Sequence, residues 1–373
     1  MNVFLEVNGV LYEGFETISY FKSIENLSGT FNFIASSEDT KFLPFKGQEE
    51  CRIIINNKPV ITGFIENLTY SYDSGSHQII VSGRDKTADI IDNTVIGNVD
   101  FKSSMSLKNL IENVLLLAGI DNDTIQVIDL VGDLEDFKEN EIKAAEVGDN
   151  MFEYIEKYCR KRAVLLSSNG NANIIITRAG SEQLNGILLN QLNNSGNNIK
   201  AAAISYDFTD RYFGYVVKSQ GNFLSALLAG DDGEGLSDLE STNGSAIDTE
   251  IRRTRLIEFE NETSSTNSSN LERAKWEANI RRARSKIYTC NLAHIYYDKK
   301  ETEIYEPNKL IQVIDDFCDI NAIMLIRSVN YQLSNITGTN ITLELVAKDS
   351  YLPEPSVDEE DSLFNVIGAD VNE

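Results

Sequence analysis

The sequence predicts a mainly β (α+β) protein in which two related β-barrel-like modules flank a small inserted α/β domain. Three observations indicate this class. Short β-prone runs separated by turn residues fill the first hundred positions, helical spacing of apolar residues follows Asp100, and the early strand pattern recurs near the C-terminus. Many short strands with regular turn signals are typical of a barrel or sandwich.

The chain of 373 residues is long enough for two to four domains, at roughly 100–200 residues each. We assign residues 1–100 to a first β-barrel-like tube domain and residues 101–195 to the small α/β domain. Residues 196–350 form the second β-barrel-like tube domain, and residues 351–373 form an acidic tail.

The first domain is predicted from runs rich in Val, Ile, Phe and Tyr. These runs are residues 3–7, 30–35, 52–55, 60–65, 68–72 and 78–82. Polar residues separate them, as at Asn56-Asn57 and at residues 73–76. This alternation of β-prone runs and turn residues predicts antiparallel strands.

The inserted domain is predicted from a change of period after Asp100. Between residues 106 and 118 the apolar residues follow helical spacing, and Gly119 supplies a stop. A second helix is expected after the cap candidate Asp149, ending near Arg162. Residues 163–167 and 173–177 are predicted to form a hairpin around Asn169-Gly170-Asn171.

Three distinctive segments lie within or directly after the second β domain. Residues 230–250 hold seven acids, four glycines and no Lys or Arg, which predicts a surface loop. Residues 271–286 form a charged helix that includes Arg281 and Arg282. The tail after residue 351 contains seven acids and no base. Strands are predicted at residues 202–208, 212–219, 287–296, 310–314, 324–333 and 340–346.

Residues 52–85 and 312–349 share a pattern that predicts an internal repeat. Each has a β-run, a polar turn, a second β-run, a turn through glycine and a third β-run. Four apolar or aromatic positions of the second run match at identical spacing: Ile65, Leu68, Tyr70 and Tyr72 match Ile326, Val329, Tyr331 and Leu333. We aligned the terminal Arg84-Asp85 with Lys348-Asp349. A shared three-strand meander explains this spacing, although simple β-patterns also recur by chance.

The net charge is -25, from 33 basic and 58 acidic residues. Such a surface repels nucleic acid and anionic membranes at a distance. Solubility alone explains an acidic surface, and a channel that DNA must traverse without sticking is the alternative explanation.

Membrane insertion and secretion are not expected. Apolar stretches fall short of the ~20 residues that a membrane helix needs. The N-terminus carries Glu6, Glu13 and Glu16, which is unlike a signal peptide. We therefore expect folding in the cytoplasm of the cell that makes the protein. Four dispersed cysteines without a CxxC pair predict reduced thiols. They are Cys51, Cys159, Cys290 and Cys318.

An enzyme is not expected, because the sequence lacks a convergent set of reactive groups. Its two histidines, His77 and His294, have no metal-ligand or nucleophile context around them. The acidic loop lacks phosphate-loop and EF-hand spacing. Acid pairs such as Asp315-Asp316 are inevitable in so acidic a chain. We therefore predict no catalytic residue, cofactor or metal.

Two stretches resemble the baseplate hub protein of Mu-like tailed phages, a family related in fold to the hubs of other contractile injection systems. Residues 81–92 are similar to the family pattern G-R-D-x-T-x-D-L-hydrophobic-D. Residues 284–349 carry a Tyr-Thr-Cys strand, the turn Glu306-Pro307-Asn308, the strand end Asp315-Asp316 and the pair Gly338-Thr339. The family often has Trp before that turn, whereas Tyr305-Glu306 stand here.

The resemblance implies a non-enzymatic subunit of the virion tail baseplate. The family's role implies a homotrimeric, pseudo-sixfold ring that adapts symmetry in a contractile tail. One face would meet the tail tube or tube-initiator proteins, and the other the central spike. Other baseplate proteins surround the ring, and DNA contacts it only in transit during ejection.

Residues of the family motifs are the candidate interface residues. Gly83 is expected to adopt a backbone angle that other residues avoid, which would permit a bulge. Arg84 and Asp85 are expected to pair with each other or across a subunit boundary. Asp89 or Asp92 is expected to cap the following turn. The remaining candidates are Thr87, Pro307, Asn308, Asp315, Asp316, Gly338 and Thr339, together with Arg281 and Arg282 as contacts to an acidic neighbour.

Two other functions remain open from the sequence: a tail-associated cell-wall hydrolase and a receptor-binding tail module. Clearing of a cell-wall suspension would indicate the first, and binding to host cells would indicate the second.

Overall fold

The computed structural model is mainly β, as predicted. It describes residues 3–12, 15–36, 45–73, 77–97, 104–138, 141–192, 196–219, 243–261, 267–292, 294–297, 303–334 and 338–351. The predicted acidic loop before residue 243 and the acidic tail after residue 351 lie outside these ranges.

The described strands are, in chain order, β1 (Val3–Val7), β2 (Val10–Tyr12), β3 (Thr17–Ser23), β4 (Asn26–Ser36), β5 (Glu50–Ile55), β6 (Lys58–Tyr72), β7 (His77–Asp85), β8 (Ser104–Met105), β9 (Val127–Asp129), β10 (Phe137–Lys138), β11 (Leu165–Ser168), β12 (Ile174–Thr177), β13 (Glu182–Asn190), β14 (Ile199–Tyr206), β15 (Gly214–Ser219), β16 (Asn243–Ile247), β17 (Leu256–Asn261), β18 (Lys286–Leu292), β19 (Lys309–Asp315), β20 (Ile320–Ser334) and β21 (Gly338–Ala347). The described helices are α1 (Ala88–Asp92), α2 (Leu107–Leu117), α3 (Met151–Lys161) and α4 (Asn267–Arg284).

The chain divides into two compact units. The first comprises residues 1–204 and 287–348, and the second comprises residues 205–286 and 349–373.

The first unit contains one continuous sheet in the order β14-β18-β21-β20-β3-β4-β7-β6-β5-β1-β2, with β19 and β13 branching from β20. The strands of the N-terminal module and those of the C-terminal module therefore belong to the same sheet. Their inward side chains form one shared core that includes Leu5, Phe33, Ile65, Tyr288 and Tyr331. Buried residues alternate with partly buried ones along β3, β7 and β19, which gives each strand a core face.

The inserted α/β region has a core of its own. The apolar face of α2 (Leu107, Leu110, Ile111 and Val114) packs in one cluster with Ile155 of α3 and its neighbours. The α2 prediction is confirmed, with Ser106 as its N-cap. Asn150, rather than the expected Asp149, caps α3 through its side chain. β11 and β12 form the predicted antiparallel hairpin, and β9 adds to β12 in parallel.

The second unit is a small sheet, β16-β15-β17, covered by α4. Residues 243–247, expected within the acidic loop, form β16 instead. The buried Arg211 guanidinium lies 2.7 Å from the Asp248 carboxylate and 2.6 Å from that of Glu250. Two acids of the segment are thus structural ion-pair partners, because a buried guanidinium requires such partners. None of the described helices has the length and apolar character needed to span a membrane.

Candidate functional site

The internal repeat is visible in strand pairing. β5-β6-β7 and β19-β20-β21 are antiparallel meanders with a long central strand of 15 residues in each case. The register of β6 on β7 shifts between Ile65 and Asn67, and that of β20 on β21 shifts between Ile326 and Ser328. A bulge inserts one residue at each place. The bulged residues Glu66 and Arg327 occupy equivalent positions in the two modules.

A left-handed residue precedes the first strand of each meander. Gln48 has φ 64° and Asn308 has φ 65°. The Gln48 backbone N–H donates to the carbonyl of Ile65 at 2.7 Å, and the Asn308 N–H donates to that of Ile326 at 2.9 Å. The same donor thus reaches the residue before the bulge in both modules.

A tyrosine latch completes the shared arrangement. The Tyr70 hydroxyl donates to the carbonyl of Phe45 at 2.8 Å, and the Tyr331 hydroxyl donates to that of Tyr305 at 3.0 Å. Both acceptors stand three residues before the left-handed residue. Each latch holds the loop that enters the meander against the strand beyond the bulge.

The two modules differ in what lies beside the strand beyond the bulge. In the C-terminal module, β3 pairs with β20 in antiparallel register, from Ser328 opposite Ser23 to Ser334 opposite Thr17. The Tyr20 and Tyr331 rings stack across this junction with centroids 4.6 Å apart. We call this β3–β20 pair the internal junction. It joins the two modules edge to edge.

The equivalent half of β6 has no such neighbour. Within the described part of the chain, residues 67–72 pair with β7 alone. Tyr72 is 83% exposed, whereas its counterpart Leu333 is 8% exposed. Leu68 and Tyr70 are only half-buried, although Val329 and Tyr331 are fully buried. We call this half of β6 the open edge.

Gly83 lies where β6 and β7 approach closely. A Cβ at Gly83 would stand 1.9 Å from the Phe64 carbonyl oxygen, and one at Gly63 would stand 1.9 Å from that of Arg84. Gly83 is absent from the residues with positive φ. The need for glycine is therefore steric rather than the unusual backbone angle that the sequence suggested, and the bulge lies on the opposite strand.

Arg84 pairs with carboxylates of its own module rather than with Asp85. Its Nη2 lies 2.7 Å from Glu66 Oε1, and its Nη1 lies 3.1 Å from Asp92 Oδ1. Hydrogen bonding to Arg84 lowers the pKa of Asp92, and burial raises the pKa of Asp89. The guanidinium thus fixes the bulged residue of β6 to the end of α1.

Asp85 is a buried hydrogen-bond hub. Its Oδ2 accepts from the Gly29 backbone N–H and from the Ser168 hydroxyl, both at 2.8 Å. Its Oδ1 accepts from the Thr87 backbone N–H at 3.0 Å and also contacts the Thr87 hydroxyl. Asp85 therefore forms the side-chain turn that precedes α1 and links the barrel strands to β11 of the inserted domain. The N-cap of α1 is Thr87, which makes no side-chain cap hydrogen bond.

Asp315 organises the turn that follows β19. Its carboxylate accepts hydrogen bonds from the Tyr288 hydroxyl at 2.6 Å, Asn190 Nδ2 at 3.1 Å, and the backbone N–H groups of Phe317 and Cys318 at 3.0 and 3.1 Å. Burial alone would raise the pKa of Asp315, but these hydrogen bonds outweigh it and hold the pKa below its ordinary value.

Asn308 joins the second module to the inserted domain. Its Oδ1 accepts from the Gly180 N–H at 2.9 Å, and its Nδ2 donates to the Arg178 carbonyl at 3.0 Å. Pro307 precedes it in the same turn. This position is therefore a structural joint as well as the start of β19.

The remaining strand-end candidates lie in a turn or at the start of β21. The Asp316 carboxylate accepts from the Leu192 N–H at 3.0 Å. Gly338 has φ 77° and opens β21, where Thr339 pairs with Leu333. Their placement is local to the turns that flank β20.

Arg281 and Arg282 lie on α4 in the second unit. Arg281 Nε donates to Glu277 at 3.1 Å, and its guanidinium lies 5.7 Å from the Tyr212 ring centroid. Arg282 is exposed and donates to Asn279 Oδ1 at 2.7 Å. Arg282 is thus the more accessible of the two cations for contact with a neighbour.

The sequence interpretation missed part of the repeat. The tetrapeptide of residues 45–48 stands before β5 as residues 305–308 stand before β19, with an aromatic residue first and the left-handed residue last. Extending the alignment upstream would have revealed it. At the other end of the repeat, the third strands can be aligned through their partners. Val81 opposes Leu68 and Leu343 opposes the equivalent Val329, so Val81 is equivalent to Leu343. Four residues further along each strand, Asp85 is therefore equivalent to Ala347. The alignment with Lys348-Asp349 was wrong by two residues.

Potential reactive and metal-binding groups are dispersed. The His77 ring packs on Tyr72, and His294 is exposed elsewhere. Cys51, Cys159 and Cys290 are buried separately. In the described residues, no group of three or more His, Cys, Asp or Glu side chains is placed to hold a metal ion.

Comparisons with known proteins agree with this architecture. A family model described as "Mu phage baseplate assembly protein GpP-like, N-terminal" matches residues 2–85, and one described as "Mu phage baseplate assembly protein GpP, fourth domain" matches residues 265–354. The chain is 24% identical over 358 residues to baseplate hub protein gp44 of Escherichia phage Mu, covering 94% of this chain and 89% of gp44.

Solved structures share the fold over nearly the whole chain. The 43 kDa tail protein of prophage MuSo2 from Shewanella oneidensis has a TM-score of 0.74 at 25% identity, covering 93% of this chain and 98% of that one. The tail protein from Neisseria meningitidis MC58 has a TM-score of 0.73 at 17% identity, covering 94% and 98%, and this second likeness concerns the fold alone.

The fold and these matches show the class of protein to which the chain belongs: it is a phage tail protein of the baseplate. Within that class, it carries the N-terminal and fourth domains of the Mu phage baseplate assembly protein models, and over most of its length it is similar to the baseplate hub protein of phage Mu. The resemblance inferred from residues 81–92 and 284–349 is thereby confirmed.

Proposed function

We propose that three copies of this chain close into a ring with near-sixfold symmetry, which joins the tail tube to the central spike in a contractile tail. The observation that carries this proposal is the internal junction. One chain already holds two equivalent modules, edge to edge in a single sheet. Three such chains present six similar modules toward a sixfold tube while keeping threefold symmetry toward a spike.

The ring is a structural part that DNA crosses during ejection. A net charge of -25 repels a polyanion, so an acidic opening would let DNA pass without holding it. The relatives named above are tail and hub proteins, which supports a role without catalysis. Tube or tube-initiator proteins, the spike and other baseplate proteins are the expected partners.

Native mass spectrometry of the purified protein, with electron-microscopy class averages, tests this function. We expect a species of three chain masses and end-on views with six similar lobes. A species that stays monomeric at every concentration, or a ring of another copy number, would contradict it. Clearing of a cell-wall suspension by the purified chain would instead support a hydrolase.

A further inference from the structure

We propose that a cleft between the barrel strands and the inserted domain binds a small aliphatic carboxylate, with Lys22 as the group that recognises its charge. The cleft has a volume of about 370 Å³ and is lined by the end of β3, by strands of the small sheet β11-β12-β9 and by residues 306–309. Clefts that bind small molecules typically have volumes of roughly 300–1,000 Å³. The proposal does not depend on the ring.

Lys22 is a buried cation without a direct partner. Its side chain lines the cleft and is only 9% exposed, and in the described part of the chain it makes no hydrogen bond or ion pair. The register of β3 on β4 shifts between Phe21 and Ser23, and such an irregularity can re-aim the side chain that lies within it. The stem of Lys22 runs over Gly29, where a Cβ would stand 3.1 Å from Lys22 Cγ. A buried ammonium requires a counter-charge, which an anion in the cleft would supply.

The carboxylates around Lys22 leave its charge incompletely balanced. Burial lowers the pKa of Lys22, and the attraction of Asp85 and Glu306 offsets this only in part. The two oxygens of Asp85 already accept hydrogen bonds from three neighbouring residues, and Glu306 is exposed. Glu182, which also lines the cleft, forms an ion pair with Lys309. These acids would repel a doubly charged phosphate, so a singly charged carboxylate suits the cleft better.

The polar groups of the cleft offer donors to such a ligand. The Ser23 hydroxyl oxygen accepts from the Glu25 backbone N–H at 3.2 Å, so its hydrogen can point to a ligand. The Asn169 Oδ1 accepts from the backbone N–H groups of Asn171 and Asn173 at 3.0 and 3.1 Å, which leaves the Nδ2 group to donate. With its acceptors filled and its donors available, the polar wall matches the oxygens of a carboxylate.

The opposite wall is mainly apolar. Ile175 of β12 pairs with Ser167 of β11 and with Ile128 of β9, so the three residues share one face of the small sheet. Ile174 and Ile176, which alternate with Ile175, pack in the core of the inserted domain. The face with Ile175 and Ile128 is therefore the outer one, and both isoleucines line the cleft while only partly buried. An aliphatic chain of a few carbons attached to the carboxylate would cover this apolar surface.

Calorimetric titration of the full chain with sodium butyrate tests the cleft. Acetate, butylammonium and inorganic phosphate are titrated at the same ionic strength. We expect butyrate to bind and acetate to bind about three- to tenfold more weakly, because it lacks two methylene groups for the apolar wall. Butylammonium should not bind, and phosphate should bind more weakly than butyrate. This series uses the unaltered chain, so it remains decisive where a variant does not fold.

Two lysine variants locate the binding. Lys22→Met keeps the length of the side chain but removes the charge, and should weaken butyrate binding about tenfold or more. Lys309→Met is the matched control, because Lys309 lines the same cleft but is already paired with Glu182. It should weaken binding less than about threefold, since its charge is balanced. Circular dichroism and thermal unfolding show whether both variants are folded.

Equal butyrate affinity of the unaltered chain and Lys22→Met would place the ligand elsewhere and overturn the proposal. Phosphate binding as tight as that of butyrate would overturn the assignment of a carboxylate. Failure of the unaltered chain to bind butyrate at concentrations up to about 50 mM would show that the cleft is not a carboxylate site. None of these results bears on the ring, whose copy number native mass spectrometry measures separately.

Discussion

Beyond their bulges, β20 and β6 have the same sequence pattern but different surroundings. β20 is paired along its second half by β3, and Leu333 is buried there; β6 ends in an open edge where Tyr72 is exposed. The left-handed residue, the bulge and the tyrosine latch are the same in both modules. The repeat therefore specifies the module, and the identity of the neighbouring strand determines which residues become core.

The largest expected effect is on the unfolding free energy, when each of the two latch tyrosines, Tyr331 and Tyr70, is replaced by alanine. Tyr331→Ala removes a fully buried ring and should lower the unfolding free energy by about 3–5 kcal/mol. Tyr70→Ala should cost less by at least about 1 kcal/mol in the dissociated chain, because its ring is only half-buried. Urea unfolding of the dissociated chain measures both losses.

The phenylalanine variants are the matched controls for this contrast. Tyr331→Phe and Tyr70→Phe keep the rings and remove the hydroxyl groups that donate the latch bonds, so each lost latch bond should cost about 1 kcal/mol. Tyr70→Phe also removes the bond that the Phe45 backbone N–H donates to the Tyr70 hydroxyl at 3.2 Å. Equal losses for the two alanine variants would show that the edges are equally covered in a single chain, contrary to the comparison above.

Much of this comparison was accessible from the sequence. The spacing of Ile65, Leu68 and Tyr70 against their counterparts gave the correct alignment of the long strands, because inward positions alternate strictly in a half-buried strand. The third strands were misaligned because a slip of two residues keeps every side chain on its own face. Hydrophobic pattern alone cannot detect such a slip.

Other elements were missed for local reasons. β3 places Lys22 at an inward position that the pattern predicts to be apolar, and burial lowers the pKa of that lysine. β13 contains Gly186 within a register irregularity, which weakens its strand signal. The roles of Arg84 and Asp85 depend on partners distant in sequence, such as Ser168, that a local motif cannot specify.

The second effect concerns the turns that end the first strand of each meander. The first strands of the two meanders can be aligned through their partners: Leu310 opposes Leu325, and Glu50 opposes Phe64, the residue equivalent to Leu325. Leu310 is therefore equivalent to Glu50. Five residues further along, Asp315 of β19 is equivalent to the buried Ile55 of β5. The turn after Ile55 is a tight one in which Asn56 and Asn57 both have positive φ, and it needs no carboxylate. The turn after Asp315 depends on that carboxylate.

Asp315→Ala should lower the unfolding free energy by about 2–3 kcal/mol, because it leaves the buried Tyr288 hydroxyl and two backbone donors unpaired. The folded-state pKa of Asp315 lies below its unfolded value of about 4. Its contribution is therefore fully present above pH ~4 and is lost as the pH falls through the folded-state pKa.

Thermal unfolding from pH 7 to pH 2 measures this dependence. The gap between the wild-type protein and Asp315→Ala should narrow as acid is added. Tyr288→Phe, which removes one of the four hydrogen bonds, is the control and should cost less than Asp315→Ala. A gap that is constant with pH would contradict the ionised role of Asp315.

The smallest effect concerns the bulged residues, whose charges are reversed between modules. Glu66 pairs with Arg84 of β7. Arg327 pairs with Glu25, in the turn between β3 and β4, and also lies 3.7 Å from Glu344 of β21. These groups are about a quarter to two-fifths exposed, so each pair is expected to contribute no more than about 1 kcal/mol.

Yet the Arg327–Glu25 pair crosses the internal junction, whereas the Glu66–Arg84 pair stays within one module. Glu25→Gln should therefore weaken the docking of β3 on β20 and speed amide hydrogen exchange there, and Glu66→Gln should leave that exchange unchanged. If Glu66→Gln accelerates exchange in β3 as much as Glu25→Gln does, the two bulges are coupled through the common sheet and the modules are not independent copies.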